Sequence, residues 1–489
     1  MSTRTMRRLT TTFSLIMILS LVLMSTASAA STTKSLSTNF TLVNLGTSDA
    51  TVNINYLKPD GTPWTGSGYT SLIVLKDGGQ QIVRQYQDTL SSGQGSVVIS
   101  SDQDLGSMVQ IQNRSGVGAP TSGAYTGFKS GSNSALTPIL AKKAFSSIGL
   151  SNTQIIMQNT GDSSTTVSVA LYTRGATVST PVYTKTGISI APGASAIYDL
   201  ADESDANLPA NWWGSGVVTA AVNGEIAVVV NWFVGNDGLD SYEGVAPTAV
   251  TSKWFIPLVY IRLSNLFTSS IVVQNVSGVS IPSGDITLDC HRDPNQTTGT
   301  AELIFHNTTS FVDKDPYTFN TTNSTVFTED KWQGGCTVTS ASGKNLIVLV
   351  QHRYNDVSKP DQGAFIAIPG NTTDTTVYVP LVAKRLSNNF ATTATIQNLD
   401  EVNSATVSLY YTPSGAADPT IIRTGLTILP GGSLVRNFRM PDTESPEMPN
   451  GWQGSLKVVS NRPVQALLAN TSLTINGDQF MAYTGFTKP

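Results

Sequence analysis

A 22-residue segment that occurs twice almost unchanged constrains this chain more than any other feature. It reads WFIPLVYIRLSNLFTSSIVVQN from Trp254 to Asn275, and VYVPLVAKRLSNNFATTATIQN from Val377 to Asn398. A looser third copy with a small insertion runs from Leu136 to Asn159. A second signature, Trp-x-Gly, falls at Trp212, Trp332 and Trp452, and Gly93-Gln94-Gly95 holds the same place earlier in the chain. Positions 93, 212, 332 and 452 are 119, 120 and 120 residues apart. Self-similarity at a fixed period means one building block copied along the chain. The spacing predicts four modules over residues 31–134, 135–251, 252–374 and 375–489.

Within each module, short β-branched and aromatic runs are separated by Gly, Pro, Asn, Asp and Ser. Val52, Ile54 and Tyr56 are apolar at every second position and lead into the turn signal Pro59-Asp60-Gly61. The runs from Val167, Ile286 and Val407 repeat that alternation, which lets a strand bury one face and wet the other. Closing runs begin at Tyr125, Tyr242, Phe365 and Tyr483. About seven strands per module, with frequent turn signals and no helical period, predict an all-β fold of four tandem immunoglobulin-like β-sandwiches. A barrel has the same periodicity and stays the alternative.

Pro138, Pro257 and Pro380 lie inside the repeated segments. Proline cannot donate to a ladder, so they are expected on sheet edges or where strands start. Each segment could close the preceding module or open the following one, and either choice leaves one end module without its copy. If it opens the following module, module one must use the polar stretch Ser31 to Leu36 instead. Linkers that read as strand, and not as Gly/Ser tether, predict a fairly stiff string of modules.

The first 29 residues read as a cleaved, bacterial-type export signal. Arg4, Arg7 and Arg8 precede the apolar run Phe13 to Met24, and Ala27-Ser28-Ala29 is a small-x-small cleavage site. The run is short for a bilayer span, and the expectation is a secreted or cell-surface protein without a transmembrane segment. Without those three arginines, 26 basic residues face 33 acidic ones, a net of −7. That balance disfavours nucleic acid, which needs a basic stripe.

The two cysteines, Cys290 and Cys336, fall in module three at inward positions that are apolar in the sibling modules. In an exported chain they are expected to form a disulfide, bridging the two sheets. Trp212, Trp332 and Trp452 recur before a glycine and are expected as structural plugs. Trp64 and Trp232 are not repeated and are the candidate ligand-binding aromatics. Asp237 and Asp240, in an oxygen-rich stretch with Glu243, are the candidate calcium ligands, although the stretch lacks EF-hand spacing and also reads as turn chemistry. His291, His306 and His352 have no ligand spacing, and no catalytic motif is present, so neither an enzyme nor a required cofactor is expected.

The elements V-x-N/Q-N-x-G, A-T-V-x-V-x-Y, P-G-x-S and P-V-x-A-x-x-N resemble the bacterial immunoglobulin-like repeats of secreted adhesion-related proteins, the CARDB-like group. The resemblance spans each module and implies a tandem extracellular sandwich protein with a structural, adhesive or spacer role, meeting surface or matrix components. It carries over no binding residue. Two alternatives accompany that expectation. One is an adhesin that recognises glycan or protein. The other is a subunit of a filament or surface layer that adds a strand from a neighbouring copy.

Overall fold

The structure is a computed structural model, and it describes residues 36–113, 121–145, 149–235, 238–263, 267–354, 361–442, 444–472 and 477–488. Helical structure among these is confined to three-residue turns such as Gln85–Gln87 and Leu200–Asp202. No helix there is long and apolar enough to cross a membrane. The fold is all-β, in separate antiparallel sheets.

Each module is two layers of strands packed face to face, and in module two the pairing of Ser134–Ala144 with Ser151–Asn159 joins the layers into one eight-stranded sheet. In module four the first sheet runs Ile421–Ile428, Ala405–Pro413, Trp452–Ser460, Thr376–Lys384, with Phe486–Thr487 added at the end. Its second sheet runs Ser433–Asn437, Phe390–Asn398, Val464–Ser472, Met481–Thr484. Module three repeats this order, with Ile368–Pro369 as the added strand, and module two follows it with only an isolated bridge, Leu136 to Val245, in that place. The Pro-Leu-Val segments are therefore first strands, here called lead strands: Ser134–Ala144, Lys253–Ile261 and Thr376–Lys384. Each pairs with the Trp-x-Gly strand of the module it opens, which settles the choice the sequence left open.

Every lead strand carries its proline at a break in register, between Ile256 and Val259 in module three and between Val379 and Val382 in module four. A bulge is where a residue without an N–H does least harm. The prolines thus lie at bulges inside the lead strands, not where these strands start, and in modules three and four that strand is the outermost long one of its sheet. The break also frees a carbonyl. In module four the Tyr483 hydroxyl donates to Leu381 O at 2.7 Å, and in module two Tyr242 donates to Ile139 O.

The recurrent Asn of the Gln-Asn signature is a buried turn lock. Asn44, Asn159, Asn275 and Asn398 are all fully buried. Asn159 Nδ2 donates to Ser163 O (2.8 Å) and Ile190 O (3.0 Å), while its Oδ1 accepts from Gly161 N (3.0 Å). Asn44 and Asn275 repeat the arrangement. Backbone groups at the strand end would otherwise be buried unpaired, which is costly.

The disulfide is present, with one correction. Cys290 and Cys336 face each other on neighbouring strands of the same sheet, with Cα atoms 4.0 Å apart. Both point into the core, as the sequence indicated. Inward direction identifies the face of a strand but not its neighbour, and the alternating and Trp-x-Gly strands are neighbours in one sheet. The bond therefore staples a sheet edgewise instead of joining two sheets.

The modules do not form an open string. Ser96 Oγ of module one donates to Gly193 O of module two at 2.6 Å, and Ser215 of module two donates to Lys314 O of module three. Ser433 Oγ of module four reaches back to Pro257 O of module three at 2.7 Å. Ser455 of module four then donates to Gly78 O of module one, beside an ion pair of 2.6 Å between Lys457 and Asp77. The chain closes into a ring. Around its axis the closing strands Thr121–Thr126, Gly238–Glu243, Gln362–Ile366 and Met481–Thr484 pack together, one from each module. Gly123 and Gly363 permit that approach. A Cβ at Gly363 would stand 2.3 Å from the Phe480 ring, and one at Gly123 2.8 Å from Ser241 Oγ.

Candidate functional site

The four junctions of this ring are built alike except one. Where module two meets three, three meets four and four meets one, the earlier module's lead strand packs its outer face on the second sheet of the later module. Lead strands are consequently buried on both faces, at every residue but the first in modules three and four. In module one the first sheet has three strands, Ser71–Val74, Ala50–Leu57 and Ser96–Ser101. Among the described residues nothing pairs with the outer edge of Ser96–Ser101.

A cleft of about 2700 Å³ runs along that edge, between modules one and two. Its first wall is the open side of module one, including Phe40, Leu42, Tyr56, Val97, Ile99 and Val109. Its second wall is the outer face of module two's second sheet, including Ile156, Ala227, Val229 and Phe233. Val97 and Ile99 are half-buried, whereas Leu456 and Val458 at the same strand positions of module four are 1% and 0% exposed. Ile156 is half-buried, and its counterpart Val272 is 2% exposed beneath a lead strand.

Two side chains that elsewhere meet a lead strand remain in place. Tyr125 occupies the position of Tyr242 and Tyr483, and its hydroxyl has no hydrogen-bond partner among the described residues. Burial pushes it up to about 12, so it is a neutral donor at ordinary pH. Phe128 occupies the position of Ile368 and Phe486, both of which pair with lead strands. Here it is 38% exposed.

The residues singled out from sequence fall in several places. Trp64 reaches across module one to cover Gly93 and Gly95, where a Cβ would stand 2.9 Å from its ring in each case. Its Nε1 donates to Ser91 Oγ at 2.8 Å. It thus fills the space taken in the siblings by Trp212, Trp332 and Trp452, which open their strands 4%, 0% and 9% exposed. Trp64 also lines the cleft. Trp232 is an interior side chain at 3% exposure, 6.0 Å from the Phe145 ring, and presents no face to solvent.

Asp237 lies outside the described residues. Asp240 lies in a closing strand at the ring axis, fully buried, with one oxygen accepting from Gln351 Nε2 of module three. Glu243 accepts from Thr126 of module one. Asp478 of module four accepts backbone N–H groups from Leu239, Gln362 and Phe480 at 2.8, 3.1 and 3.1 Å. These acids lock modules to one another at the axis. Burial raises Asp240 to about 7, and burial with nearby Asp240 and Asp361 raises Asp478 well above the carboxylate range. His352 is buried against Tyr260 and Phe365, with Nδ1 2.9 Å from Ser269 Oγ, and burial lowers it to about 3.

A grouping absent from the sequence reading is Asp289, His291 and Glu302, whose ligand atoms lie within 4.8 Å of one another. They stand on paired strands of module three, half-buried or exposed, and Asp289 and His291 pair at 3.6 Å. No protein-family model matches the chain, and a comparison with curated proteins returns no match.

Proposed function

We propose that this is a non-enzymatic exported protein of the cell surface or extracellular space, which works as a rigid four-module platform and not through turnover. The observation that carries the reading is ring closure between Ser455, Lys457 and module one. A chain built only to span distance gains nothing from joining its ends, whereas a platform holds its contact surfaces at fixed angles. The recurrent polar residues support it too, since the four Asn locks and the axial acids hold backbone and module seams. The CARDB-like resemblance agrees with an adhesive or structural role, and the disulfide suits an oxidising compartment.

Fractionating the producing culture tests this. The reading predicts a protein with Cys290 and Cys336 oxidised, in the envelope or the medium. Retention in the cytoplasm with both thiols reduced overturns it. The strand-adding reading is favoured by one specific observation, the edge of Ser96–Ser101, which has no strand partner among the described residues and borders the cleft.

A further inference from the structure

We infer that the cleft between modules one and two receives an extended segment of another polypeptide, apolar at nearly every position over about nine residues, which adds as a strand to the free edge of Ser96–Ser101. This deepens the strand-adding reading but does not depend on where the protein resides.

The occupant's chemistry follows from the siblings. Three equivalent positions are each filled by a lead strand, in modules three and four by nine residues that are mostly apolar and buried on both faces. The module-one cleft offers apolar side chains on both walls, Val97 and Ile99 facing Ile156 and Val229, among polar ones such as Gln154 and Asn231. The fittings that engage a lead strand are also there, namely the Tyr125 hydroxyl and the exposed Phe128 ring. The rim adds a charge preference. Asp88, Asp162, Asp199, Asp202 and Glu225 outnumber Lys129 and Lys185, and the lead-strand segments end in basic residues, such as Lys384-Arg385 and Arg262. A segment that is apolar and then basic fits best.

The chain's own N-terminal segment fits poorly. Modules three and four begin their lead strands 14 residues before the strand that follows. The same count back from Leu36 reaches Val22, so Val22 to Ala30 would stand in the cleft. That register puts Ser25, Ala27 and Ser28 where module four has the buried Val379, Leu381 and Val382, leaving the core short of side chains. Val22 to Ala30 also contains the expected export cleavage site, and Ser31 to Ser35 alone are too few. A second copy is no better a donor, because its three lead strands are each paired within their own modules.

A synthetic peptide of residues 375–389 is the probe, added to the exported protein after its N-terminus has been read by intact mass. The expected result is 1:1 binding and a raised unfolding midpoint, with a scrambled peptide inert. Phe128→Asp and Ile156→Asp, both at partly exposed positions, should weaken binding by about tenfold or more. Register is read separately. Tyr378 pairs with Lys457, whose counterpart is Val98, so a Tyr378→Cys peptide should form a disulfide with Val98→Cys protein and not with Val97→Cys. Binding no better than the scrambled control overturns the inference. So does an intact mass that retains residues 22–30 together with no peptide uptake, which makes the chain's own segment the occupant. Growth of polymers without peptide makes a second copy the occupant and also overturns it.

Discussion

Modules one and four share a strand order, an Asn lock and a closing Tyr-Thr-Gly-Phe, yet their cores are finished differently. In module four the Trp-x-Gly strand is sealed by the lead strand, and Leu456 and Val458 are 1% and 0% exposed. In module one the same positions, Val97 and Ile99, are half-buried beside an open cleft. The inward residues of the two strands are equally apolar, so the difference lies in the neighbour and not in the strand. In this architecture the strands after the lead strand do not complete a module's core. The lead strand completes it, and that strand is itself completed by the next module in the ring.

Paired substitutions test that contrast most strongly. Val458→Asp buries an unpaired charge and should cost about 5 kcal/mol or prevent folding, while Ile99→Asp at the equivalent position should cost about 1–2 kcal/mol. Denaturant titration of both variants measures this, and equal losses would mean that the module-one edge is covered. The disulfide gives the next effect. Replacing Cys290 and Cys336 by alanine opens a loop of 46 residues and should cost about 4 kcal/mol, read as a lowered transition in module three alone.

The Asn lock should be indifferent to the contrast. Asn44→Ala and Asn398→Ala each leave several buried backbone groups unpaired and should cost about 3 kcal/mol apiece. A much smaller loss in module one would show that its core is loose beyond the missing edge.

The last effect concerns buried acids at the axis and at one seam. Asp240 is raised to about 7 and Asp315, at the seam of modules two and three, to about 6. A raised folded pKa means that the native state holds the proton more tightly than the unfolded chain. Its stabilising contribution is complete below about pH 4 and disappears as pH rises through 7. Stability should therefore fall by a few kcal/mol between about pH 5 and pH 8, and Asp240→Asn should remove most of that slope in thermal melts at the two pH values. Glu203, held down to about 2 by hydrogen bonds from Tyr183, Lys185 and Tyr198, works the other way. Its contribution is lost below about pH 4.

The β-architecture was legible because period-two burial and the 120-residue spacing are local and repeated. Ala50–Leu57 alternates buried and exposed along its length, as its sequence pattern does. The cysteine pairing was legible from inward direction, but the sheet was not, since direction does not name a neighbour. Ring closure could not be read, because it rests on Asp77, Gly78, Ser455 and Lys457, which look like ordinary turn and surface residues and lie some 380 positions apart. Trp64, which also lines the cleft, was only half legible for a related reason. Its lack of repetition suggested a specific ligand, whereas it compensates for the glycine that replaces the repeated tryptophan. The cleft was foreshadowed by the arithmetic of three lead segments among four modules, and its walls emerged only from the packing of module two.

Small-angle scattering of the exported protein tests ring closure most directly. A closed four-module ring of this length should give a radius of gyration of about 25 Å, close to that of a compact single body. The same modules strung end to end would give about 40 Å, and that value would contradict the contact between modules four and one on which the platform and its single open junction rest.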